Sequence, residues 1–181
     1  MYIEEQYQKI ILEIEKGSRA LTRFSPEDRE QLASELTTEL EVPNSEKLEK
    51  LLCLIDHSAS DDSRFEAPLL IALGKELSTR ELIFTLNCCR KHILQARFKR
   101  GQRLDYHFLE ALQRLLFSTS PEVVEWTLRT IEECGNQGVF FLKYFDKIKP
   151  APWKWFNPHQ RSVREIITML ERRWSRFEKE P

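Results

Sequence analysis

The sequence predicts an all-α fold assembled from antiparallel helix hairpins, and three observations predict it. Apolar residues recur at three- and four-residue spacing along most of the chain, which is the period of one helical stripe. Serine stands where several stripes begin, and Gly or Pro where they end, as helix caps require. No segment alternates apolar and polar residues with turn chemistry on both sides, so no strand is predicted.

The clearest unit runs from Ser120 to Lys149. Ser120 is a good N-cap, and Pro121 at the first helical position gives up an N–H that has no intrahelical partner. Val124, Thr127, Leu128 and Ile131 share one stripe, and Gly135-Asn136 stops the helix. A second amphipathic run carries Phe141, Phe145 and Ile148 before Pro150 closes it. This spells a tight αα-hairpin, and the rest of the chain reads as approximate copies.

The first helix spans about Tyr2 to Lys16, with Ile3, Tyr7, Ile10, Ile11 and Ile14 inward and Gly17 as its stop. Ser25-Pro26-Glu27-Asp28 begins the second, whose stripe is Leu32, Ala33, Leu36 and Leu40, with Pro43 just past its end. Ser45 caps a third that turns Leu48, Leu51, Leu52 and Ile55 inward. A fourth holds Phe65, Leu69, Ala72, Leu73 and Leu77, and Pro68 starts it late or kinks it. Ser78 and Glu81 fit a capping box ahead of a long fifth helix reaching about Arg100. A sixth runs from about Leu104 to Phe117 on Phe108, Leu112, Leu115 and Leu116. The Pro/Trp-rich connection over 149–158 excludes a helix, because its prolines fix extended or turn geometry. A last helix, about His159 to Glu178, has Val163, Ile166, Ile167, Leu170, Trp174 and Phe177 on its stripe.

Composition narrows the class. A chain of 181 residues is long enough for a single domain over 1–181 with a sizeable core. Five Gly beside 41% apolar and 31% charged residues argue for a folded, helix-rich chain over a disordered one. The longest apolar run, Ala67 to Leu73, is too short to span a bilayer, and the N-terminal residues lack a signal peptide's basic and apolar regions. Four irregularly spaced cysteines make no disulfide framework, so the expected setting is reducing and cytoplasmic.

Hairpins beginning near residues 2, 45, 79 and 121 recur at intervals close to the roughly 40-residue period of HEAT and armadillo repeats. Ser120-Pro-Glu-Val-Val-Glu-Trp-Thr-Leu-Arg-Thr-Ile-Glu-Glu-Cys-Gly135 resembles the opening of a HEAT-type repeat. As a whole the chain resembles a small right-handed α-solenoid of about four hairpins plus a C-terminal helix. The first hairpins match in spacing alone. The resemblance implies an interaction scaffold and carries over no catalytic residue. An irregular helical bundle is the alternative arrangement of the same elements.

Charge is unevenly spread. Residues 1–82 hold 10 Lys/Arg against 18 Asp/Glu, and residues 83–181 hold 18 against 11. Arg90, Lys91, Arg97, Lys99, Arg100 and Arg103 form a run with no carboxylate between Glu81 and Asp105. Such a run is either a helix end stabilised by its dipole or a binding surface for an anion. Trp153, Trp155 and Phe156 either pack back on the fold, the commoner fate, or stand out as partner anchors.

Cys53/His57 and Cys88/His92 each lie one helical turn apart, the spacing from which a Cys2His2 zinc site is built if the helices meet. Nothing in the sequence brings the two pairs together, so small buried cysteines are expected and no metal is assigned. No nucleophile elbow, metalloprotease helix, phosphate loop or EF-hand appears, and neither catalytic residues nor cofactors are assigned. The expectation is a non-catalytic protein–protein interaction module. Its basic residues, with Trp153 and Trp155, would face an acidic or amphipathic partner. Nucleic-acid binding through the same cations is the alternative.

Overall fold

Serine hydroxyls set the helix starts. Ser25 and Ser78 each accept the N–H of the residue three further on, while Asp28 and Glu81 reach back to the serine N–H, so two capping boxes close. The structure, a computed structural model, describes residues 3–18, 20–42, 46–151, 153 and 156–175. Tyr2, Pro43, Ser45, Trp155 and Phe177 lie outside the described residues.

The helices are α1 (Ile3–Glu15), α2 (Pro26–Glu39), α3 (Glu46–Asp56), α4 (Glu66–Gly74), α5 (Thr79–Cys89), α6 (Ala96–Lys99), α7 (Tyr106–Leu115), α8 (Pro121–Glu133), α9 (Leu142–Ile148) and α10 (Pro158–Trp174). A π-helical stretch, Arg90–Gln95, joins α5 to α6, and 3-10 turns cover Ser63–Phe65 and Gly135–Phe141. The protein is all-α. Among the described residues there is no strand, and extended pairing is confined to an isolated bridge between Thr22 and Ser58.

The chain divides into two compact units, Met1–Arg103 and Leu104–Pro181. In the first, α3 packs on α1, α2 and α5, and α4 packs on α2 and α5. Leu51, Leu52, Cys53, Leu54 and Ile55 are all buried, so the second half of α3 is apolar right round its circumference, as a helical stretch enclosed by neighbours must be. Pro68 sits in the first turn of α4 behind the 3-10 turn, where its missing N–H costs no hydrogen bond. That leaves Leu77, expected on this helix, beyond its end.

In the second unit α8 is central and packs on α7, α10 and the 3-10 turn over Gly135–Phe141. Its buried Thr127 and Thr130 hydroxyls donate to the carbonyls of Val123 and Trp126 at 2.7 and 2.9 Å, so neither is left unpaired inside. Gly135 ends the helix at φ +59°, as its position predicts. The link to α9 is then longer than the sequence suggests, because the next residues wind into 3-10 turns. α10 buries Val163, Ile166, Ile167, Leu170 and Trp174, the stripe predicted for it.

Candidate interaction surface

The six cations of the basic run lie in the first unit, and most are engaged with groups from residues 56–66. Lys91 Nζ donates to the carbonyls of Asp56 and Ser58, the latter at 2.9 Å, and so caps the C-terminal end of α3. Arg97 Nε donates to Glu66 Oε1 at 2.8 Å while Nη2 reaches the same oxygen and Nη1 donates to the Arg103 carbonyl at 2.9 Å. Arg100 lies 3.7 Å from the other Glu66 oxygen. Lys99 pairs with Asp61 and holds its carboxyl below the usual carboxylate range. Arg90 is half-buried with a partner of its own, and Arg103 is exposed.

The first unit therefore takes up much of the charge asymmetry internally. Residues 1–103 hold 16 Lys/Arg against 18 Asp/Glu, nearly balanced. The carboxylates that meet the cations come from the acidic part of the chain.

What brings these groups together is the loop after α3. Thr22 N–H donates to the His57 carbonyl, and Ala59 N–H donates to the Thr22 carbonyl, both at 2.8 Å. Arg29 and Arg64 both pair with Asp62, at 3.1 and 3.4 Å. His92, on the π-helical stretch, is fully buried beneath this loop. The Asp62 N–H donates to Nδ1 at 3.0 Å, so Nε2 carries the ring proton and faces the Ile55 carbonyl at 3.0 Å. The Phe65 ring meets the imidazole edge-on at 4.8 Å. Burial pushes the His92 pKa down to about 4 and keeps the ring neutral.

The second unit carries the most exposed aromatics among the described residues. Trp153 is 76% exposed and Phe156 fully so. The flanks of their segment, Ala151 and Gln160, both line a cleft of about 340 Å³. Leu116, Phe117, Val124, Ile148 and Val163 give it apolar walls, and Lys147 and Lys149 supply positive charge. Lys149 is held by Glu171 at 2.5 Å, whereas Lys147 is exposed with no ion pair among the described residues.

Close by in sequence, Glu125 is a buried carboxylate on α8. It accepts from Arg129 at 2.6 Å and lies 2.8 Å from His159 Nδ1, which ties the start of α10 to α8. Burial raises its pKa, but the bonds from Arg129 and His159 outweigh burial, and the net direction is downward. The Glu125/Arg129 spacing of four residues is visible in sequence; the meeting with His159 is not.

The two Cys/His pairs form no metal centre. His92 spends Nδ1 on the loop and Nε2 on the last turn of α3, and the Cys88 thiol donates to the Leu52 carbonyl at 3.3 Å. Cys53 Sγ and His57 Nδ1 are 3.8 Å apart, with Nδ1 also 2.9 Å from the Cys53 carbonyl. Among the described residues no three His, Cys, Asp or Glu side chains converge as metal ligands. All four cysteines are buried and unbridged. Burial raises every thiol, Cys53 to about 11 and Cys134 to about 12. Among the described residues no helix is long and apolar enough to cross a membrane. Comparison with protein-family models, curated proteins and solved structures finds no match to this chain.

Proposed function

We propose that the chain is a non-catalytic protein-binding module built of HEAT-like helical hairpins, and that it binds through the second unit. The observation that carries the reading is the exposure of Trp153 and Phe156, which lie along the chain between Ala151 and Gln160, two residues that line one cleft. Large aromatics held in water have no folding advantage, and they supply much of the binding energy where partners dock. The repeat reading is supported by the packing of the first unit, where α1, α3 and α5 contact in succession and α2 contacts α4.

This moves the weight off the basic run. Binding an acidic partner or nucleic-acid phosphates through Arg97 or Lys99 would have to displace Glu66 or Asp61. The test is quantitative co-purification from native extract, with the wild-type chain set beside Trp153→Ser and Phe156→Ser. Recovery of a specific partner should fall several-fold in both variants. Equal recovery would remove the aromatic segment from the account.

A further inference from the structure

Resting on that reading, we infer that the cleft of the second unit takes a short extended peptide in which an acidic residue adjoins a bulky apolar one. Charge complementarity argues for the acidic residue. Among the described residues the cleft wall contains two lysines and no carboxylate. Glu171 pairs with Lys149, so Lys147, exposed and with no ion pair among the described residues, is the cation offered to an incoming anion. Ser118, Thr119 and Gln160 add polar side chains along the same wall.

Size and lining argue for the apolar neighbour. About 340 Å³ is near the lower end of ligand clefts, enough for one or two large side chains against Leu116, Val124 and Val163. Phe117 is 51% exposed although it lines the cleft, so its ring is partly bare to an occupant. A peptide is favoured over a free small molecule because exposed aromatic rings belong to the chain segment between two of the residues that line the cleft. Trp153 and Phe156 stand between Ala151 and Gln160 along the chain, and they offer contact area that a compact ligand filling the cleft would leave unused.

The experiment is selection of a random 12-residue phage-displayed peptide library on the full chain. The best enriched sequence is then synthesised with a fluorescein label and titrated by fluorescence anisotropy. Enriched families should pair Asp or Glu with a large apolar residue one or two positions away. Lys147→Glu should weaken the labelled peptide at least tenfold. Thr119→Trp, which narrows the cleft from an exposed position, should do the same. Circular dichroism should show both variants folded as the wild type.

Enrichment of basic or uncharged families would overturn the inference, as would failure to enrich any family. Unchanged affinity in both variants would overturn it too. If an enriched peptide ignores Lys147→Glu and Thr119→Trp but is lost with Trp153→Ser, the cleft is wrong and the aromatic-segment reading stands. If co-purification is insensitive to the aromatic substitutions while the cleft variants lose the peptide, the aromatic-segment reading falls and the cleft stands.

Discussion

Arg97 and Glu66 meet through two guanidinium nitrogens, with both side chains mostly withdrawn from water. The pair joins α6 to the start of α4, and the third nitrogen of the same guanidinium holds the Arg103 carbonyl. Arg97 is thus part of the first unit's structure. Arg97→Glu would set two carboxylates against each other in a half-buried site and is expected to cost about 3 kcal/mol. Urea denaturation followed by circular dichroism checks it. A loss of partner binding in this variant would then report unfolding before it reported a lost contact.

Lys99→Ala serves as the contrast. Lys99 is 64% exposed while its partner Asp61 is 26% exposed, so water screens the pair. The expected loss is below about 1 kcal/mol. The same urea titration should give a midpoint close to wild type.

Gly138 lies flat against the Trp174 indole. A β-carbon at this position would sit 2.5 Å from Cη2 and 2.8 Å from the Ile131 carbonyl oxygen. Trp174 is only 2% exposed and stacks on Phe145, so the ring has little room to retreat. Gly138→Ala should destabilise the second unit by about 1–3 kcal/mol, the usual cost of overpacking. Thermal denaturation of that variant beside Trp174→Leu would show whether one shared contact is responsible: the two losses should fall short of additivity in the double variant.

His92 makes the first unit sensitive to acid. Its pKa drops from 6.5 to about 4 on folding, so between these values the unfolded chain binds a proton that the folded chain refuses. The stabilisation is complete above about pH 6.5 and is lost as pH falls towards 4, amounting to on the order of 3 kcal/mol. His92→Gln, which keeps a donor and an acceptor, should be less stable at pH 7 and should show a shallower decline between pH 6.5 and 4. Urea midpoints of both chains across that range measure the difference.

Local chemistry was readable from the residues themselves. Ser25, Ser78 and Ser120 cap the helices they precede, Gly135 adopts the left-handed turn expected of it, and the α10 stripe is buried as its spacing requires. These depend on neighbours within a turn or two. The fates of Arg97, Lys99 and Lys91 depend on Glu66, Asp61 and the Asp56 carbonyl, more than 30 positions away, and a run of cations looks the same whether such partners exist or not. The π-helical stretch was also invisible, since Arg90–Gln95 fits the α-helical period of its surroundings while placing His92 under the loop after α3. Trp153 left two fates open in sequence, because the same Pro-rich segment can fold back or stand clear, and the Trp153 and Phe156 side chains are exposed.

The sequestered sulfurs have a practical consequence. With every native thiol withdrawn from water and shifted away from its reactive thiolate, maleimide dyes should leave the folded wild-type chain essentially unlabelled. A cysteine introduced at Arg161, exposed and next to the cleft-lining Gln160, would then be the lone attachment point for an environment-sensitive fluorophore outside the cleft. Such a chain would report occupancy directly by a change in emission, without any native sulfur having to be removed first.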